Sequence, residues 1–221
     1  MIVDQKAVRA GAAPYSKAFL NIYDVWVVHL SNDYAWRCGR DRFLELYSCN
    51  VGARHLEVGP GSGYYLANAK FGARAAITLM DLNANSLDHS KRRLAEYEVS
   101  TIEGNILEPL PTQLGAFDSI GVNYVLHCVP GAWPEKGVAF SHLARVLADD
   151  GVLFGSTILG PGVKRNLFAK ALTETYNAVG AFHNRADDYD GLVKALDAAF
   201  AHVTVSMVGN VALFTARGPR R

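Results

Sequence analysis

The chain has 221 residues, half of them hydrophobic and 19% charged, with a formal net charge of +1. That length supports a buried core of ordinary domain size, and the apolar content excludes a disordered chain. The only basic runs are "KRR" at 91–93 and "RGPRR" at 217–221; these are too short to form the basic stripe that holds a nucleic-acid backbone.

Cys38, Cys49 and Cys128 form no CxxC and no zinc-ligand spacing, as expected of free thiols in a reducing compartment. The start "MIVDQKAVRAGAAPYSKAF" lacks the basic head and apolar stretch of a secretory signal. No apolar run reaches the roughly 20 residues that span a bilayer. A cytoplasmic protein with no membrane and no nucleic-acid partner is expected.

The first fifty residues carry Tyr15, Phe19, Tyr23, Trp26, Tyr34, Trp36, Phe43 and Tyr47. Their spacing predicts helices over about 15–29 and 40–49, joined by the polar "SNDYAWRCGRD". From 54 onward strands and helices alternate. "RHLEVG" reads as a first strand and "SGYYLANAKFG" as a helix closed by Gly72. "AAITLMDL" is an apolar strand ending at Asp81; the helix that follows starts at Asn83, a natural cap, and turns Leu87 and Leu94 to one face. "VSTIEGN" and "FDSIGVNYVL" are the third and fourth strands. A helix over 135–151 is expected to bury Val138, Leu143, Val146 and Leu147, and "VLFGSTIL" follows it as strand five. Helices at about 163–180 and 189–200 precede "HVTVSMVG" and "VALFTARG", which read as an antiparallel hairpin. The result is an α/β chain: a Rossmann-like, doubly wound, mostly parallel sheet with an antiparallel terminal hairpin. Residues 1–50 form an N-terminal helical segment and 51–221 the sheet-bearing domain.

In such sheets ligands bind beyond the carboxyl ends of the strands, where strand order reverses. Gly59, Gly61 and Gly63 occupy that position after strand one. Glycine accepts positive φ and lets a ligand approach the backbone, and a helix start offers unpaired N–H groups to an anion. A tight turn alone would also use glycine. A dinucleotide fingerprint would place its third glycine at Tyr64, whose bulk opposes a pyrophosphate. Glu57 repels a pyrophosphate as well, and attracts an ammonium or sulfonium. The pattern therefore points to a nucleoside carrying positive charge. Asp81, some twenty residues beyond the bend, is placed to take ribose hydroxyls, or else to cap a helix. Asn105 can bond an adenine edge or simply make a turn.

"LEVGPGSG", "LMDLN", "EGN" and "FDSIGVNYVLH", spread over about residues 54–160, resemble the successive motifs of class I S-adenosylmethionine-dependent methyltransferases. The resemblance implies a seven-stranded sheet with a reversed last strand. It implies S-adenosyl-L-methionine as cofactor, S-adenosyl-L-homocysteine as product, and Glu57, Gly59, Gly61 and Asp81 as contacts. Gly63, Tyr64, Leu82, Asn105, Ile106, Asn123 and Tyr124 complete the expected cofactor set. The family often has aspartate where this chain has Asn105.

On the acceptor side, His127 follows strand four and has the ordinary pKa of a general base; the alternatives are a histidine tying down the loop and a group lying near the methionine carboxylate. Cys128 reads as a small buried hydrophobe. Tyr15, Tyr23, Tyr34 and Trp36 can shield a sulfonium or stack on a flat acceptor, and Arg37 can meet a carboxylate. Tyr176, Phe182, His183 and Asn184 can line the acceptor pocket. With no recognition domain, the expected acceptor is a small molecule, aromatic or polyketide-like, with O-, N- and C-methylation all open. No metal site is expected, and the state of assembly, monomer or homodimer, is open. Cyclisation or rearrangement on the same fold, an NAD-linked oxidoreductase and a non-enzymatic binding protein are the alternatives.

Overall fold

The computed structural model describes residues 24–221 apart from residue 73. Tyr15, Phe19 and Tyr23, and most of the helix expected over 15–29, lie outside the described residues, as does the side chain of Trp26. The described chain begins with a π-helical segment, Asp24–Trp36, followed by α1, Arg40–Asn50.

Seven strands make one sheet: β1 Arg54–Val58, β2 Ala76–Asp81, β3 Glu98–Glu103, β4 Phe117–Asn123, β5 Leu147–Ile158, β6 Phe200–Val208 and β7 Val211–Pro219, in the order β3-β2-β1-β4-β5-β7-β6. β1 to β5 are mutually parallel, and β7 runs antiparallel between β5 and β6. The expected reversed strand is present. Strand order reverses between β1 and β4, so the crevice opens after Val58 and Asn123.

Helices cover both faces. On one, Leu56, Ile120 and Val122 pack with Phe140 and Leu143 of α5, Val138–Ala144, and with Leu192 and Leu196 of α7, Tyr189–Ala199. On the other, Ile77, Leu79 and Phe154 pack with Tyr47 of α1, Leu66 of α2, Tyr64–Asn68, and Leu87 of α3, Ala84–Arg93. The predicted cap of α3 is present: the Asn83 side chain accepts the Asn85 amide. Among the described residues no helix is long and apolar enough to cross a membrane.

Three boundaries differ from expectation. α2 ends at Asn68, because Ala69 turns extended with ψ 151°. The helix expected over 135–151 is two short ones, α4, Trp133–Lys136, and α5, split at Gly137, where a Cβ would lie 2.6 Å from the Trp133 carbonyl oxygen. Leu147 then opens β5, and Val138, expected inward, is 40% exposed. α6, Leu167–Ala178, starts later than expected because the Asn166 side chain caps it, accepting the Ala169 amide at 2.7 Å.

Candidate active site

The bend after β1 turns at Gly59, Gly61 and Gly63, all at positive φ (65°, 57° and 73°). At Gly59 a Cβ would lie 2.4 Å from a methyl carbon of Val125, so only glycine lets the exits of β1 and β4 close together. Ser86 and Ser90 of α3 both donate to the Gly61 carbonyl at 3.0 Å, fastening the bend to the next helix. Tyr64 opens α2 with its ring edge-on to Tyr65.

Beneath the bend lies a buried polar network. Tyr47 donates to Glu57 Oε1 at 2.5 Å; His55 Nε2 lies 3.0 Å from Glu57 Oε2, and its Nδ1 lies 2.8 Å from Ser119 Oγ. Burial, and then the Glu57 charge, push the Tyr47 hydroxyl well above its ordinary pKa. Glu57 is 2% exposed, so its charge is fixed from below by neighbours in addition to any effect on a ligand. Gly121 makes room for it: a Cβ there would sit 2.2 Å from Glu57 Oε2. Gly121→Ala is expected to cost about 1–3 kcal/mol by overpacking. A denaturant midpoint equal to that of the wild type would mean that the network yields freely.

Asn123, at the end of β4, is 6% exposed. Its amide lies close enough to Tyr47 to lower that pKa, yet neither amide atom has a partner at normal hydrogen-bond geometry. Buried amides left so are unusual, and a ligand is one reason for them. Asp81, half-buried at the end of β2, accepts the Asn83 amide at 2.9 Å; burial raises its pKa against that bond and Ser86. Leu82 is half-buried next to it. Asn105 spends its side-chain oxygen on the Leu107 amide at 3.0 Å, which is its turn role. Ile106 is buried, its carbonyl 3.1 Å from His142 Nδ1.

Tyr124 holds a left-handed backbone, φ 56°, uncommon for a bulky residue and typical of sites. Around it Trp36, Phe43, Ile158 and Phe182 form one cluster, with Tyr65, Cys128 and Tyr176 packed against it. His127 is 3% exposed, its ring centroid 4.5 Å from that of Phe182. Its Nδ1 accepts the Ile158 amide at 3.3 Å, and burial, aided by the Lys136 charge, brings its pKa down to about 3. The buried ring with Nδ1 engaged weighs toward the structural role, a histidine that ties down the segment after β4, and away from a general base. Cys128 is also no nucleophile, since burial pushes its thiol up to about 12.

Tyr34 is exposed, and its carbonyl accepts the Asn166 side-chain amide at 2.7 Å. Arg37 is exposed with φ 56°. Asn184 is structural, donating to the Ile158 carbonyl and accepting from Asn177, both at 2.9 Å. His183 is half-buried; its amide donates to the His127 carbonyl at 2.7 Å.

No local pattern points to Lys136. It is 0% exposed and donates to Asp187, also 0% exposed, at 2.8 Å, and to the Leu126 and His183 carbonyls at 3.2 and 3.1 Å. The excursion from β5 to α7 closes at its stem, where the Gly160 amide donates to the Asp187 carbonyl at 2.7 Å and Arg165 donates to the Leu159 and Gly160 carbonyls.

A family model described as a methyltransferase domain matches residues 56–155. The demethylluteothin O-methyltransferase of Streptomyces thioluteus is 42% identical over 216 residues, covering 97% of this chain and 94% of that one. The physcion biosynthesis cluster O-methyltransferase of Aspergillus chevalieri is 38% identical over 95% of this chain and 96% of its own. Among solved structures, the N-methyltransferase NodS from Bradyrhizobium japonicum WM9, in complex with S-adenosyl-L-homocysteine, has the same fold: TM-score 0.62, 16% identity, 98% of each chain covered. Likeness of that extent in sequence, joined to the glycine bend, the acidic end of β2 and the reversed β7, means that the chain belongs to the class I S-adenosylmethionine-dependent methyltransferases.

Proposed function

We propose that this methyltransferase acts on a hydroxyl group of a flat aromatic or polyketide-like small molecule. The observation that carries the reading is the aromatic wall beyond β4 and β5, where Trp36, Tyr124, His127 and Phe182 pack together in the interior with the half-buried Tyr176 against them. An acceptor that reaches this cluster meets rings and apolar groups, which favours a flat molecule over a phosphate backbone or a polar chain. The names of the two relatives above agree with oxygen as the target.

The residues present fit the cofactor. The bend at Gly59, Gly61 and Gly63 offers an open backbone, Asp81 stands where ribose hydroxyls would be taken, and the unpartnered Asn123 amide offers a donor and an acceptor. When bound, S-adenosylmethionine supplies an electrophilic methyl group. The chain then has to bind, orient and exclude water. Glu57 is held in place beneath the bend by Tyr47 and His55. His127, neutral with its proton on Nε2, is a donor and a part of the wall. On this reading an acidic hydroxyl on a conjugated ring gives its proton up to water and not to His127. Residues 1–50 act as the lid, a role supported where Trp36 joins the wall.

The test is incubation with S-adenosylmethionine and a panel of phenolic, amine and carbon acceptors, with S-adenosylhomocysteine quantified. S-adenosylhomocysteine equimolar with an O-methylated phenol is expected. Turnover confined to amines or carbon acids would overturn the reading. Asp81→Ala is expected to weaken S-adenosylhomocysteine by about tenfold or more, as loss of a buried hydrogen bond to a charged group does. Equal calorimetric titrations of the variant and the wild type would remove Asp81 from the site.

A further inference from the structure

The segment that carries Trp36 also carries Asn32, which is 0% exposed. Its amide joins two residues far apart in sequence. Tyr124 donates its hydroxyl to Asn32 Oδ1 at 2.9 Å, and Asn32 Nδ2 donates to the Tyr65 hydroxyl at 2.8 Å. Tyr65 belongs to α2, directly after the glycine bend, and stacks at 5.7 Å on Tyr47, the residue that holds Glu57. Tyr124 directly follows β4 in its left-handed conformation, and its ring is 5.5 Å from that of His127. One side chain thus touches the cofactor half and the acceptor half of the crevice at once.

The amide is also anchored. Its own backbone carbonyl accepts the Cys38 amide at 3.0 Å, and the Trp36 carbonyl accepts the Asn210 amide at 2.8 Å from the turn between β6 and β7. At that turn a Cβ on Gly209 would lie 2.2 Å from the Trp36 carbonyl oxygen, so the segment is pressed against the turn. The two partners pack in one aromatic cluster, Phe43 lying 5.0 Å from each ring. They nevertheless lead to different elements: Tyr65 lies in α2 directly after the glycine bend, and the strained Tyr124, held through its hydroxyl by a segment outside the sheet, directly follows β4.

We propose that Asn32 is a positioning residue that couples the seating of the N-terminal segment to cofactor binding, through Tyr65, and to the acceptor wall, through Tyr124. The inference rests on the cofactor lying in the crevice between β1 and β4. When the bend and α2 are held by ligand, Tyr65 is held with them, and Asn32 transmits that order to Tyr124 and to the segment through Trp36. The coupling is reciprocal, so losing the amide weakens the ligand as well as the segment.

The experiment uses S-adenosylhomocysteine as probe, with calorimetry for affinity and hydrogen exchange by mass spectrometry for peptides covering 30–38 and 56–66. In the wild type, ligand is expected to slow exchange at least tenfold in both peptides. In Asn32→Ala, the slowing at 56–66 persists, that at 30–38 is lost, and affinity falls about tenfold. Tyr65→Phe and Tyr124→Phe each reproduce part of the loss, and neither adds to it in the Asn32→Ala background. Those hydroxyl deletions carry the test if Asn32→Ala does not fold. Ligand-induced slowing at 30–38 in the variants equal to that of the wild type, or losses that simply add, would overturn the coupling. A wild type that binds no S-adenosylhomocysteine would remove the site in the crevice, and this proposal with it, whereas slowing at 56–66 alone would remove only the coupling.

Discussion

Lys136→Met is expected to destabilise the protein by about 3–5 kcal/mol, the usual result of removing one partner of a buried ion pair. In a chain of this size that lowers the melting temperature by roughly 10 °C. The methionine fills most of the volume, so the loss is electrostatic. The Asp187 charge is left 0% exposed, with Oδ1 already lacking a partner, and the Leu126 and His183 carbonyls lose their donor. Burial pulls the two pKa values toward one another, Asp187 up to about 6 and Lys136 down, and mutual attraction opposes both shifts. The double variant Lys136→Met, Asp187→Asn should recover part of the stability, since the stranded charge is gone. Urea unfolding of the three variants and the wild type measures this. A loss of under about 1 kcal/mol in the single variant, little more than an exposed surface substitution costs, would mean that water reaches Asp187.

The second large effect depends on pH. His127 titrates near 6.5 when unfolded and near 3 when folded, because burial disfavours its charge. The folded pKa is depressed, so below about pH 6.5 the unfolded chain binds a proton that the native chain refuses. The stability this residue supports is whole above that pH and is lost as pH falls toward 3. The slope is at most about 1.4 kcal/mol per pH unit, or about 2–3 kcal/mol between pH 6.5 and 4.5. Asp187, raised to about 6, protonates in the native state over the same range and acts in the opposite sense. The readout is therefore the difference between wild type and His127→Asn, whose side-chain oxygen can still accept the Ile158 amide. That difference should shift against the wild type as pH falls; if it stays flat, His127 is not held neutral in the folded protein.

What is legible in the sequence is mostly local. The bend at 59–63 and the Asn83 cap depend on the properties of one or two residues, and both are found as expected. The alternation of strands and helices yields the sheet, including the reversed β7. The failures are those of long-range packing. The helix over 135–151 has good amphipathic spacing, yet Gly137 meets the Trp133 carbonyl and Leu147 is drawn into pairing with Phe117. An ordinary pKa makes His127 a natural base, and only the folded surroundings reveal the Ile158 amide and the burial that weigh against that role. Lys136 finds Asp187 fifty-one residues away, and Asn32 finds Tyr124 ninety-two away, pairings that no period in the chain announces. His55 is nearer to hand: two positions before Glu57 on a strand, it must share that residue's face.

The stem at Gly160 and Asp187 has a consequence for how this enzyme's specificity can change. Residues 160–187 lead from β5 to α7, closed at the base by the Gly160–Asp187 hydrogen bond, and they bring Tyr176 and Phe182 to the cluster around Tyr124. The bend, Asp81 and Asn123 all lie in earlier segments of the chain. On the proposed reading of the site, a segment grafted from a relative, keeping Asn184 for Ile158 and an aspartate at 187 for the resident Lys136, is expected to alter which acceptor is received.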